Sequence, residues 1–189
     1  MFERETALCG AQLSEVRGTA ARVRLGEARQ WHLVQVAAFA TTLSDLERTL
    51  RTELESDLPQ RIGETVVAHR RHLLKTGPEQ YWIISPESDD LPGALQAAVP
   101  PELGAVTLLS HSRTCIVVEG PAARELLATS IALDLHPSAF SVGAFALTGI
   151  HHTPVLVYRT AEDRYELFVM RTFALCVWDG LADSALEFE

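Results

Sequence analysis

The adjacent prolines Pro100-Pro101 place the strongest limit on how this chain folds. Two successive residues without an amide donor, the first of which pushes Val99 toward an extended backbone, cannot lie inside a helix or a central strand. They predict a seam between two halves of a 189-residue chain, a length that suits one large domain or two small fused halves.

Each side of the seam carries the same kinds of segment. Before it, residues 1–30 read as an N-terminal arm ending in a weak strand near Ala21–Leu25, and Trp31–Ala40 is β-branched and aromatic enough for a strand. Ser44-Asp45-Leu46-Glu47 has the form of a capping box, and Leu46, Leu50 and Leu54 recur every four residues, so a helix with one apolar stripe is expected to end before Pro59. Thr65–Leu74 and Tyr81–Ser85 read as antiparallel strands joined by the Gly77-Pro78 turn, and a short helix from Asp90 to about Val99 follows. After the seam come strands at Ala105–Leu109 and Thr114–Glu119 and a helix with Pro121 at its first position. Strands at Ala144–Ile150, Pro154–Arg159 and Tyr165–Met170 precede a last helix over Thr172–Leu186. The predicted class is α+β, with an arm at 1–30 and strand-helix-strand halves at 31–99 and 102–189 joined in a single compact domain. Antiparallel or mixed sheets are expected to carry the helices.

Charge narrows the range of functions. The formal net charge is −9, with 16 basic and 25 acidic residues, which argues against a nucleic-acid binder held by phosphate neutralisation. Residues 1–75 carry +1 and residues 76–189 carry −10, an asymmetry that can steer a partner onto one face. The longest apolar run, Phe173–Trp178, is far too short to span a bilayer, and the acidic start Met1-Phe2-Glu3-Arg4-Glu5 lacks the apolar region of a secretory signal. A cytoplasmic protein with no membrane partner is the expectation. Hydrophobic residues reach 47%, somewhat more than a lone soluble domain needs, which hints at a buried interface.

Catalytic patterns are hard to assemble. Neither G-x-G-x-x-G nor a P-loop occurs, and Cys9, Cys115 and Cys176 lie too far apart for a CxxC pair. His111 and Cys115 would stand about 13 Å apart on a continuous strand, so a Cys-His nucleophile is not expected. The basic knot His69-Arg70-Arg71-His72 would be split between two faces of a strand, and His151-His152 reads as a turn before Pro154. The acidic pairs Asp89-Asp90, Glu162-Asp163 and Glu53/Glu55 fall at wet positions, whereas a general acid needs partial burial. Trp31, Trp82 and Trp178 sit in apolar periodic segments and read as core.

From the seam onward the order of motifs resembles the gamma subunit family of heterotetrameric sarcosine oxidase. The resemblance rests on Leu109-Ser110-His111-Ser112-Arg113, on Glu119-Gly120-Pro121-Ala122-Ala123-Arg124-Glu125-Leu126-Leu127, and on Leu133-Asp134-Leu135-His136-Pro137-Ser138-Ala139-Phe140. Gly143, Thr148, Phe168-Val169-Met170-Arg171-Thr172-Phe173-Ala174 and Val177-Trp178-Asp179-Gly180-Leu181 complete it, and Leu74 to Trp82 matches a family turn more loosely. Thr172 stands where the family favours serine, retaining a hydroxyl that can cap a helix. Gln80 departs from the family turn and suggests a relative acting on another N-methyl amine.

The resemblance implies a fold like the folate-binding T-protein of the glycine cleavage system. It also implies a non-catalytic chain without cofactor or metal of its own. FAD, FMN, NAD and folate would belong to the alpha and beta subunits and zinc to delta, in a complex that converts sarcosine to glycine with folate as one-carbon acceptor. The alternative is a free-standing folate-binding module of the same fold. The resemblance singles out Asp134, His136 and Arg171 as structural residues: Arg171, at the unfavourable N-terminal end of the last helix, is expected to pair with Asp134, and His136 to bond backbone within its own turn.

Overall fold

The leucine stripe does what its spacing predicts. In the computed structural model, which describes residues 6–9 and 22–188, α1 (Leu43–Leu54) buries Leu46, Leu50 and Leu54 against a sheet and leaves its polar face outward. That sheet belongs to one compact unit, residues 30–111, with β2 (Trp31–Ala38), β3 (Thr65–Ala68), β4 (Arg71–Gly77), β5 (Gln80–Pro86) and β6 (Gly104–Leu108). Its strand order is β3-β4-β5-β2-β6, antiparallel throughout. Val34, Val36, Leu73, Tyr81 and Ile83 face α1 and α2 (Leu91–Ala98), whose Leu91 and Leu95 complete this core.

The second unit joins the described residues up to Arg29 to those from Ser112 onward. Here β1 (Arg24–Ala28), β7 (Arg113–Glu119), β8 (Phe145–Ile150), β9 (Thr153–Ala161) and β10 (Arg164–Met170) form an antiparallel sheet in the order β1-β7-β10-β9-β8. One face packs Ile116, Val118, Tyr165, Leu167 and Val157 against α3 (Ala123–Ser130) and α4 (Ala174–Ala185), which contribute Leu126, Leu127, Val177 and Trp178. The α+β class and the two helices in each unit match the expectation from the sequence, whereas the first unit has five strands where the half at 31–99 was expected to have three.

The division of the chain differs from the expected one. Pro100-Pro101 separates α2 from β6, but β6 returns to pair with β2, so the prolines lie inside the first unit and the chain changes unit between His111 and Ser112. The weak strand expected near Ala21–Leu25 is β1, which runs the length of β7 with Arg24 opposite Glu119 and Ala28 opposite Cys115, while most of the arm expected over residues 1–30 lies outside the described residues. Gly120, at φ +127°, lets the Arg22 carbonyl approach the end of β7, where any side chain would collide with it.

Four local expectations are also corrected. The first helix is preceded by Thr42 rather than Ser44, and the Thr42 hydroxyl donates to the Leu103 carbonyl at 2.7 Å, while Glu47 is drawn away into the sheet. Thr65–Leu74 is not one strand, since His69 (φ 50°) and Arg70 (φ 65°) make a two-residue turn that separates β3 from β4. Pro121 lies before the residue that starts α3, and a 3-10 turn over Arg171–Phe173 precedes α4, which begins after Phe173 without a side-chain cap from Thr172.

Candidate functional site

Four groups of polar or reactive side chains concentrate what chemistry the chain carries. The first is buried where α1 crosses β4 and β5. Tyr81 donates its hydroxyl to Glu47 Oε1 at 2.6 Å, Lys75 Nζ donates to the Tyr81 oxygen at 2.8 Å, and Arg51 reaches Glu47 Oε2 at 3.3 Å. Lys75 is only 7% exposed and its ammonium also lies 4.8 Å from the centre of the Tyr81 ring. Burial works against the Glu47 charge, yet the Tyr81 hydroxyl and the Lys75 ammonium outweigh it and hold the carboxyl below its ordinary range. Burial and the bond to Glu47 push the Tyr81 phenol upward. The members satisfy one another, so the cluster braces the unit and offers no activated nucleophile.

Arg71 and Asp89 form the second group, a two-pronged ion pair at 2.7 and 2.9 Å that fixes the start of β4 to the turn before α2. The guanidinium hydrogen bonds hold the Asp89 carboxyl below its usual range. The basic knot is therefore divided: Arg71 is engaged in this pair, His69 and Arg70 are the exposed turn, and burial lowers the His72 pKa. His72, Ser85 and Trp31 border an open groove of about 440 Å³ with Gln30, Arg70, Ile84 and Pro86.

Arg159 on β9 is the third group. It is 4% exposed and donates to the Phe140 carbonyl at 2.7 Å and to the Glu162 carbonyl at 2.7 and 3.2 Å, over the Tyr165 ring. One guanidinium fork thus closes the β9–β10 turn and anchors the loop before β8. Nearby on the opposite face of the sheet, burial raises the Glu166 carboxyl although Arg164 lies 3.3 Å away. Cys115 is fully buried, and burial pushes its thiol well up, which is the environment of an inert core thiol.

The fourth group holds the residues singled out by the sequence. Asp134 Oδ1 accepts the His136 backbone N–H at 2.9 Å, and His136 Nδ1 accepts the Ser138 N–H at 3.3 Å and lies 2.7 Å from the Ser138 hydroxyl. The expected turn chemistry of His136 is present. The expected Asp134–Arg171 pair is not formed: the carboxylate is used within its own turn, and the Arg171 backbone N–H donates to the Ser112 carbonyl at 2.9 Å. Among the described residues no set of three or more His, Cys, Asp or Glu is placed to hold a metal ion, and no helix is long and apolar enough to cross a membrane.

What the sequence did not isolate is apolar surface. Met170, Phe173 and Leu175 are 39%, 43% and 44% exposed within six residues, and Val142 and Leu147 are exposed elsewhere in the same unit. Periodicity assigns such residues to a core, so only the missing partner on their face reveals them.

Fold and side chains together define an α+β protein whose polar clusters are internal braces and which presents apolar surface outward. The profile of the sarcosine oxidase, gamma subunit family matches residues 38–187. The chain is 35% identical over 155 residues to sarcosine oxidase subunit gamma of an Arthrobacter species, spanning 82% of this chain and 76% of that protein. It is 36% identical over 134 residues to the subunit gamma of Corynebacterium sp. (strain P-1), spanning 69% of this chain and 65% of that one. The structure is similar to a chain of heterotetrameric sarcosine oxidase from Corynebacterium sp. U-96, with a TM-score of 0.88, 27% identity and coverage of 98% and 96%. This chain belongs to the sarcosine oxidase gamma subunit family. Aminomethyltransferase T of the glycine cleavage system from Bartonella henselae shares the fold at a TM-score of 0.65 and 16% identity, over 86% of this chain and 46% of that one.

Proposed function

We propose that this chain is the non-catalytic gamma subunit of a heterotetrameric sarcosine oxidase, assembled with alpha, beta and delta subunits in the cytoplasm. The observation that carries this reading is the match along nearly the whole chain to a sarcosine oxidase chain, together with the named gamma relatives. In this reading the flavins, nicotinamide nucleotide and folate are held by alpha and beta and the zinc by delta, and the complex turns sarcosine into glycine with folate receiving the one-carbon unit. The role of gamma is then mechanical. Its internal braces keep two sheets rigid, and its exposed apolar residues meet larger neighbours.

The inward use of Lys75, Tyr81, Glu47 and Arg159 supports a non-catalytic role, because groups locked to one another are not poised toward a substrate. The test is the purified chain itself. It is expected to be colourless and inactive toward sarcosine, and stoichiometric flavin or turnover by the isolated chain overturns the reading.

A further inference from the structure

We propose that the outer edge of β8 receives an extended segment of another subunit of the oxidase as a sixth strand of its sheet. This rests on the gamma-subunit reading and adds to it the surface and the mode of attachment. On its inner side β8 pairs regularly with β9 from Phe145 opposite Tyr158 to Ile150 opposite Thr153. On its outer side only Ile150 is engaged, in a lone antiparallel bridge to Ile131. From Phe145 to Gly149 no other backbone hydrogen bond is made on that side among the described residues.

Protein sheets protect such edges with charge, proline, bulges or brevity, because bare N–H and C=O groups invite any passing strand. Two of the other edges follow that rule: β1 carries Arg24 and Glu27, and β3, although its Val67 is 58% exposed, is only four residues long, between Glu64 and the His69-Arg70 turn; β6 is uncharged but presents no large exposed apolar side chain. β8, Phe145-Ala146-Leu147-Thr148-Gly149-Ile150, has none of these protections, and Leu147 at its middle is 55% exposed. It also lies within the longest stretch of the sequence without Asp, Glu, Lys or Arg, residues 135–158, in a chain where 22% of residues are charged. Val142, 54% exposed, belongs to the same stretch.

The chemistry of the edge specifies its occupant. Along these five residues the N–H and C=O groups of alternate residues face away from β9, and they accept only another extended backbone, over about 17 Å. The uncharged surroundings and Leu147 select a strand that is itself uncharged and apolar where it flanks Leu147. A second copy of this chain carries the same net charge of −9, and the overall repulsion between two like-charged molecules makes a different subunit the favoured occupant.

Hydrogen exchange read by mass spectrometry on the isolated chain and on the co-purified oxidase complex tests this. The outward-facing amides of 145–149 should exchange quickly in the isolated chain and slow by about tenfold or more in the complex. Leu147→Lys should weaken assembly by about tenfold or more while leaving the melting temperature of the isolated chain unchanged, and Thr107→Lys on the β6 edge should leave assembly intact. A chain that joins the complex with equal exchange at 145–149 in both states overturns the β8 proposal alone. Slowing that depends on the concentration of the isolated chain overturns it in favour of a second copy. A chain that joins no oxidase subunit overturns the gamma-subunit reading beneath it.

Discussion

Tyr81 on β5 and Glu47 on α1 are joined by a 2.6 Å hydrogen bond in which a buried phenol serves a carboxylate that Lys75 and Arg51 also approach. Helix and sheet are thereby tied by a polar contact inside an otherwise apolar layer. Tyr81→Phe keeps the ring and removes only the hydroxyl, leaving Glu47 and Lys75 each short of a partner. Bonds to charged groups contribute about 1.5 to 3 kcal/mol, and a loss in that range is expected in urea denaturation. A loss under about 0.5 kcal/mol would show that the cluster does not brace the unit.

Two carboxylates should give opposite pH dependences. Glu47 has a folded pKa below its ordinary 4.5, so its stabilisation is present above that value and is lost as the pH falls through the folded value. Glu166, raised above 4.5 by burial, behaves inversely: its contribution is present below 4.5 and is lost as the pH rises through the folded value. Relative to the parent, Glu47→Gln should therefore become less stable from about pH 3 to about pH 6, while Glu166→Gln should gain over the same change. Denaturation midpoints at a series of pH values read both slopes, and slopes of the same sign would contradict the assignment.

The β3–β4 turn is strained by its own sequence. His69 and Arg70 both occupy positive φ, where residues with a Cβ are disfavoured and Asn-Gly is the preferred pair. Replacing His69-Arg70 with Asn-Gly should stabilise the chain by about 1 to 2 kcal/mol. A calorimetric scan showing an unchanged or lower melting temperature would refute this.

That turn also shows where the sequence was legible and where it was not. Segments rich in β-branched and aromatic residues such as β8, β9 and β10 are readable from that composition, although β9 buries both faces from Val155 to Arg159, and the stripe Leu46, Leu50, Leu54 announces α1 by its spacing. A turn written His-Arg carries no glycine or asparagine signal, so β3 and β4 merge into one apparent strand. Ser44 and Glu47 have capping-box spacing, but a tertiary partner, Tyr81, claims the glutamate. The pairing of β1 with β7, 85 residues or more apart in sequence, leaves no local mark at all, and that pairing is what moves the boundary away from Pro100-Pro101. Among the residues singled out, the turn of His136 was readable because Pro137 and Ser138 define it locally, whereas an Asp134–Arg171 contact required a tertiary distance.

Asp134 gives a sharp test of that correction. Its oxygen accepts one exposed backbone N–H, and asparagine retains an oxygen in the same place, so Asp134→Asn should change stability by less than about 0.5 kcal/mol. A double-mutant cycle with Arg171→Ala should show no coupling beyond about 0.5 kcal/mol, and a clear coupling energy would restore the pair.

The central claim, that this chain is a structural subunit of a sarcosine oxidase, is tested most directly by native mass spectrometry of the complex purified after co-expression with sarcosine oxidase alpha, beta and delta subunits. The account predicts that this chain is present in the same complex as the flavin-bearing subunits, and that the isolated chain carries no flavin. A flavin-containing, sarcosine-oxidising complex that excludes this chain when all four are expressed together would contradict it.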